Sequence, residues 1–434
     1  MVKNLMFIIL TAFFMIGKTP AFCQTAYTLS QLAELANQHS QTIKIAEEDL
    51  YIAEQDKVRA LSVLIPSVAA YSSLTAYKEA DVSMPDTLTH GIKFTQSFTL
   101  NGKELIAYGV SKKEIERKAF SLESVRSDYM IQVAQAFYNI QSAQRAVEIV
   151  ASDVQRLTTH RDAVKEKLNV GNVAKTDLFR AEAELSKALT EQVKAENGLI
   201  QSKASLKNLV DIEKDFSLEK ENISQMNSMI FDLSQIQSDA LKNRAEIREA
   251  IKNLEIARKT VRFERSDYWP SVSLEAGYKK SDIEYESSGT DVNYDAEDLY
   301  FKGTLLFTLY DGGLRKAEIR QALADQRKAE NALELHKKQI ILESKISFLE
   351  YQIAKSTLQN LQDELRFAQE NYNAVQMQFK YGMADSVDMM DANTLLVTAQ
   401  RRISDANYTY YLSILKILYT KGELVQFLLA QNQQ

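Results

Sequence analysis

The sequence predicts a mainly α-helical chain that also carries transmembrane β-strands, built as a tandem duplication of two strands plus long coiled-coil helices. Three observations lead there. Residues 46–68 align without a gap with 250–272, so that Ala46, Leu50, Ile52, Ala53, Pro66, Ser67 and Val68 answer Ala250, Leu254, Ile256, Ala257, Pro270, Ser271 and Val272. Further on, Phe98 to Gly102 answers Phe307 to Gly312, and Gly171 with Asp177 answers Gly382 with Asp388. Ordered self-similarity of this kind marks a repeat. The other two observations are period-two alternation after each shared proline and a sustained heptad pattern in each half.

The first 24 residues precede the repeat. Lys3 leads an apolar run from Leu5 to Ile16, followed by Pro20-Ala21-Phe22-Cys23-Gln24. A charged start, a short apolar stretch and a weak cleavage region describe a secretory signal peptide over residues 1–23. The run is well short of the ~20 residues of a membrane-spanning helix. Lipid attachment at Cys23 is the competing reading, but bulky Phe22 stands where a lipoprotein signal wants a small residue. Cys23 is the only cysteine, so the cleaved chain has neither a disulfide nor a thiolate metal site. Cleavage also removes Lys3 and Lys18, leaving 50 basic against 58 acidic residues. That balance argues against nucleic acid as a partner. His39, His90, His160 and His336 are scattered without ligand spacing and read as solvated surface residues. Neither a phosphate-binding glycine loop nor a nucleophile elbow occurs. No catalytic group, metal site or cofactor is expected.

The first repeat, 24–231, and the second, 232–434, read in one order. Each opens with a helix (about Leu29–Leu61, then Asp232–Arg265) that Pro66 or Pro270 brings to an end. Strands follow at about 66–78 and 90–101, then at about 270–286 and 298–310. Ile92, Phe94, Phe98 and Leu100 alternate with Lys93, Thr95, Ser97 and Thr99, and Phe301, Leu305, Phe307 and Leu309 with Lys302, Thr304 and Thr308. The polar stretches Glu79–Thr89 and Ser287–Glu297 read as hairpin connections. A soluble half-buried sheet shares this pattern, yet two hairpins would present open edges. In lipid such edges are not tolerated, so four strands must close with strands of other copies. Tyr71, Tyr77, Tyr278 and Tyr300 fit either interfacial belts or plain strand propensity.

Long helices follow each hairpin. No proline occurs between Gly102 and Gly171, a length of roughly 100 Å as helix. Val133, Ile140, Val147 and Val154 recur every seven residues, interleaved with Ala136, Ala143, Val150, Leu157 and Val164. Leu358, Leu365, Tyr372 and Phe379 do the same against Leu361, Ala368 and Val375. Gly171 and Gly382 suit left-handed caps, and Thr176-Asp177 or Ser386-Val387-Asp388 can start a return helix. Each half therefore holds a helical hairpin about 100 Å tall, over 103–210 and 312–420. Residues 211–231 form a polar linker, and the tail past Leu424, ending in Gln431–Gln434, reads as unstructured.

Here a resemblance enters. Val170-Gly171-Asn172-Val173-Ala174-Lys175-Thr176-Asp177, followed by Ala181-Glu182-Ala183, resembles the first hairpin tip of the TolC family of outer-membrane efflux proteins. Tyr381-Gly382 with Val387-Asp388-Met389-Met390-Asp391-Ala392 resembles the second. The likeness runs in order through the whole mature chain. It implies a homotrimer in which each protomer gives four strands to a 12-stranded β-barrel and its helices to an α-helical barrel reaching into the periplasm. It also implies small equatorial elements in 211–232, outer-membrane lipid around the strands, a periplasmic adaptor (membrane fusion) protein, and an inner-membrane pump that supplies the energy. The function implied is the exit duct of a tripartite efflux or type I secretion system. A structural periplasmic coiled coil is the alternative, for which the alternating strands have no use.

The residues alone leave Asp385, Asp388 and Asp391 as a solvated acidic face at a helix start, where the dipole favours anions. The resemblance makes Asp388 and Asp391, with Asp385 beside them, a pore constriction that binds cations. It places adaptor docking at the tips, Gly171, Asn172, Gly382 and Met383, and tip closure near Asp177, Phe379 and Tyr381. Two positions depart from the family pattern. Phe379 replaces a tyrosine three residues before the tip glycine, and Ala384 replaces an arginine two residues after it. Closure by other bonds is therefore expected. Export itself is checked by intact mass: the mature protein should begin near Cys23 without an added diacylglycerol.

Overall fold

The computed structural model of the chain describes residues 25–78, 80–219, 226 and 229–430. The leader expected over 1–23 and the end Gln431–Gln434 lie outside them. The described chain passes twice through one order of elements. First come β1 (Thr25–Tyr27), α1 (Leu29–His39), α2 (Gln41–Ser62), β2 (Ser67–Thr75), β3 (Asp86–Thr99), α3 (Lys103–Asn169) and α4 (Lys175–Val210). After β4 (Phe216–Leu218) come α5 (Leu233–Asn243), α6 (Ala245–Arg265), β5 (Ser271–Ser287), β6 (Thr290–Leu306), α7 (Leu314–Lys380), α8 (Ser386–Lys421) and α9 (Leu424–Ala430). The tail past Leu424, expected to be unstructured, is thus helical to Ala430, because Leu424 and Leu428 enter the core.

Two expectations about the helices are corrected. The helix expected over Leu29–Leu61 is broken at Ser40, and that over Asp232–Arg265 at Arg244, where ψ opens to 123° and 128°. Ser40 restarts its helix by accepting the Ile43 N–H through Oγ at 3.4 Å. Arg244 offers no such oxygen. Its guanidinium binds Glu246 at 2.6 Å and Glu343 at 3.2 Å and lies over the Tyr419 ring. Nor do both arms of each hairpin stand 100 Å tall. α3 and α7 have 67 residues each, roughly 100 Å, but α4 and α8 have 36 each, roughly 54 Å.

The remaining height is covered by other helices. α2 packs along the strand-proximal part of α3 and α4 along the far part, while α6 and α8 divide another flank of α3 and carry α7 on their own far side. The hand-over falls at mid-height, where α1, α5, α9 and the parallel pair β1–β4 fill the gap. The largest core sits there, with Leu32, Phe137, Ile140, Leu206, Ile236 and Ile414 wholly or almost wholly buried. Toward the turns the heptad seam takes over: Val150, Leu157 and Val164 are buried, as are Leu361, Ala368, Tyr372 and Phe379.

The four long strands form one antiparallel sheet in the order β2-β3-β5-β6. Register sets Val68, Phe94, Ala276 and Phe301 on one row and Ala70, Ile92, Tyr278 and Leu299 on another of the same face. That face is apolar, and Leu299 and Phe301 are 87% and 73% exposed on it. The opposite face carries Thr95, Glu275 and Lys302 on one row and Ser97, Ser273 and Thr304 on the next. Tyr71 and Tyr300 belong to this polar face, opposite Gly91 and Gly277, so of the in-sheet tyrosines considered for a belt only Tyr278 faces the apolar side. The stretch Ser287–Glu297 is corrected as well. It is strand up to the two-residue turn Ser288-Gly289, with φ of 58° and 76°, a primed turn that matches strand twist. Its polar character reflects strand that meets water on both faces. Among the described residues no helix is long and apolar enough to cross a membrane.

α4 and α8 both end on left-handed residues, Asp211 at φ 56° and Gly422 at φ 76°. A Cβ at Gly422 would also meet the Asn243 carbonyl at 3.1 Å. Asp211→Gly should stabilise the solubilised protein by up to about 1 kcal/mol once glycine's chain entropy offsets the strain relieved, read as a higher thermal midpoint. Gly422→Ala should destabilise it by about 1–2 kcal/mol or more, read as a lower midpoint.

Candidate functional site

Both long helices end in the same turn. After α3, Gly171 (φ 76°) donates to the Leu168 carbonyl at 3.0 Å and Asn172 to the Lys167 carbonyl at 2.9 Å. After α7, Gly382 (φ 77°) donates to Phe379 at 3.2 Å and Met383 to Gln378 at 2.8 Å. These are Schellman turns, whose left-handed residue is best supplied by glycine. Nothing lies within 4 Å of a Cβ built on either glycine. The turns stand free, with Asn172 exposed, Tyr381 67% exposed and Met383 72% exposed.

The return helices start on carboxylates. Asp385 accepts the N–H groups of Val387 and Asp388 at 2.8 and 2.9 Å, while Asp388 accepts that of Asp385 at 3.1 Å. This reciprocal pair is a capping box. In the first turn Asp177 accepts the Ala174 N–H at 3.1 Å, and Ala174 has no side-chain oxygen to answer it. Asp177 and Asp388 therefore play one local part. The structure joins Asp385 to Asp388 and leaves Asp391 exposed a turn further on, outside that bonded pair.

Phe379 lies between the helices. It is 7% exposed, its ring sits 4.9 Å from the His160 ring, and Lys167 Nζ stands 3.8 Å from the ring centre. The position that carries a tyrosine in the family pattern is thus an apolar anchor, and Tyr381 points into solvent. His160 departs from the surface role expected of it. It is 6% exposed, because α7 and α8 cover it, whereas His39, His90 and His336 are exposed as expected. Burial first, and the charge of Lys167 second, push the His160 pKa below its ordinary value.

Three polar contacts tie α3 to the second hairpin. Asn393 Nδ2 donates to Asp153 at 2.7 Å, His160 Nε2 meets Ser386 Oγ at 2.9 Å, and Lys167 Nζ donates to the Phe379 carbonyl at 2.6 Å. Arg156 donates to Asn393 Oδ1 at 2.8 Å, closing the first contact from its other side. Asp153, His160 and Lys167 recur every seven residues, and so do Phe379, Ser386 and Asn393. In the sequence this column is hidden beside the apolar one, Val150, Leu157 and Val164, which carries the stronger periodic signal. The sevenfold spacing shared by both partners is the feature that could have revealed it.

A channel built from long helices on a membrane sheet fits what comparison with other proteins finds. The sequence matches the family described as Outer membrane efflux protein over residues 32–210 and 236–417. It is 23% identical over 420 residues to the outer membrane protein TolC of Escherichia coli, covering 94% of this chain and 85% of that one. The fold superposes on the CmeC outer membrane channel of Campylobacter jejuni with a TM-score of 0.77 at 17% identity, over 91% of this chain and 86% of that one. On the open-state MtrE outer membrane channel of Neisseria gonorrhoeae the TM-score is 0.75 at 18% identity, over 91% and 89%. The chain belongs to the outer membrane efflux protein family. It is an outer-membrane exit channel for an efflux or secretion system, with its helices extending into the periplasm.

Asn393 satisfies two charged groups whose side chains are only 13% and 19% exposed, Asp153 and Arg156. Asn393→Ala should destabilise the turn-proximal helices by about 1–3 kcal/mol, the usual result of orphaning a buried polar partner. Faster protease cleavage between residues 150 and 170 in otherwise folded protein is the measurement.

Proposed function

We propose that three copies of this chain close into one duct, and that the duct works passively between a periplasmic adaptor and an inner-membrane pump. The observation that carries this reading is the sheet. It has one apolar and one polar face, and β2 and β6 each leave one edge unpaired within the protomer. In hydrocarbon an unpaired strand edge leaves its N–H and C=O groups without partners, so edges must meet. Joining β6 of one copy to β2 of the next gives twelve strands in three copies, an even-numbered closed barrel. The helices support the same assembly. α7 exposes Leu335, Leu342 and Leu349 at heptad spacing, and α4 exposes Val193 and Ile200, which are seams for helices of a neighbouring copy.

The repeated order of elements supports a duplicated unit, with halves at 24–231 and 232–434. The exposed turns at Gly171, Asn172, Gly382 and Met383 suit docking of the adaptor, being the part of the helices farthest from the sheet. Asp388 and Asp391, with Asp385, would ring the inner mouth of the trimer, a negative constriction that favours cations. Because Asp388 and Asp385 bond to each other's backbone, the ring is rigidly based at the helix start. Energy comes from the pump, and the duct takes no cofactor.

The detergent-extracted protein should sediment as a trimer and conduct in planar bilayers with cation selectivity that divalent ions block. Replacing Asp388 and Asp391 together by alanine should raise anion permeability and relieve the block. The stability loss should stay small, since helix-start charges contribute ~0.3–1 kcal/mol each. A stable monomer without conductance overturns the duct; unchanged selectivity and block in the double variant overturn the aspartate constriction.

A further inference from the structure

We propose that the column Asp153, His160 and Lys167 is a zipper that holds the second turn against α3, and that its middle member, His160, is a proton-sensitive pin. The inference deepens the regulation of the site described above and rests on the duct reading. Its geometry is independent of that reading. Three contacts, to Asn393, Ser386 and the Phe379 carbonyl, fall seven residues apart on both partners, about 10 Å per step along α3. Two of the three partners, Phe379 and Ser386, flank the Gly382 turn from either side, so the turn cannot leave α3 without breaking both contacts.

Each outer contact is made by a charged group of α3. Lys167 donates from a cation to a carbonyl, and Asp153 is fixed by Asn393 with Arg156 at 3.6 Å. His160 differs. The groove beside it, about 530 Å³, is lined by Arg156, Glu166 and Lys167 of α3 and by Tyr372 and Lys380 of α7, while α8 contributes Met389. The α8 carboxylates nearest in sequence, Asp385 and Asp388, are engaged with backbone N–H groups of their own turn. Three cations and one carboxylate therefore line the groove beside a histidine packed against an aromatic ring, a site that resists a further positive charge. Burial and Lys167 lower its affinity for protons while it is pinned. A released, solvated His160 regains the ordinary value of about 6.5. The pinned arrangement is accordingly at full strength above that value and weakens as pH falls through and below it.

The mature chain has no cysteine if cleavage removes Cys23, so spin labels at Asn172→Cys and Met383→Cys report the two turns of the trimer in detergent. Each unit of difference between the pinned and released His160 pKa shifts the equilibrium about tenfold per protomer. A longer turn-to-turn distance should therefore gain population as pH falls from 7.5 to 5. In His160→Gln, which keeps a neutral hydrogen-bonding group toward Ser386, the distance should stay short across that range. Ser386→Ala should move the transition to higher pH. A distance that does not change with pH in the parent, or a His160→Gln protein that follows the parent's profile, overturns the proposal. Conductance is read separately, so a failure of the duct reading shows as a silent bilayer while the distances still decide the pin.

Discussion

Backbone groups that leave water must find partners, and in this chain the demand falls on the two outer edges of a four-stranded sheet. The rest of the architecture is arranged around that requirement. Period-two alternation gives the sheet an apolar side for lipid and a polar side for water, and a single extra residue in any strand would exchange the two. The strands are fed and drained by helices at one end only, since Pro66 and Pro270 stop one helix before each pair and a left-handed glycine starts the next. The four helices that join the sheet, α2, α3, α6 and α7, therefore hang from the same rim, and the long ones have nowhere to go but away from the membrane.

Hanging helices of 67 residues need lateral support along their whole length. The chain supplies it in two storeys, with short helices meeting at mid-height instead of one continuous companion. That is why the largest core is neither at the sheet nor at the turns. Arg244 and Gly422 sit at this junction, one stacked on Tyr419 and the other pressed on the Asn243 carbonyl. Below it the packing thins to two smaller seams, one at Leu157 and Leu185 and one at Val164, Tyr372 and Leu396, and polar contacts such as Asp153–Asn393 take a larger share in holding the helices together.

Much of this was legible in the sequence wherever a single physical requirement enforces a pattern. Alternation located the strands, sevens located the seam, and glycine located both turns, because burial and left-handed geometry each permit few substitutes. What escaped depended on contacts between distant segments. The breaks at Ser40 and Arg244 interrupt helical patterns that continue in register on either side, and Arg244 has no capping chemistry to betray it. His160 looked like surface because an imidazole on a heptad column carries no apolar signal. Thr290–Glu297 looked like loop because Asp291, Asn293, Asp295 and Glu297 outweigh the Val292, Tyr294 and Ala296 that alternate with them. Asp388 carried a recognisable motif, yet its local bond to Asp385 is visible only once the turn is folded.

β5 and β6 run 17 residues each, while a tilted membrane crossing uses about 9–11. A good part of that hairpin therefore projects beyond the bilayer, bearing Asp282, Glu284, Glu286, Asp291, Asp295 and Glu297, and past the last β3 pairing at Glu284 it narrows to two strands. Its end is the turn Ser288-Gly289, with nothing within 4 Å of a Cβ built on the glycine. To an antibody or a phage this acidic ribbon is the face the protein shows the outside world. For an engineer the same turn is a place to splice in an epitope, carried clear of the lipid at the free end of the hairpin.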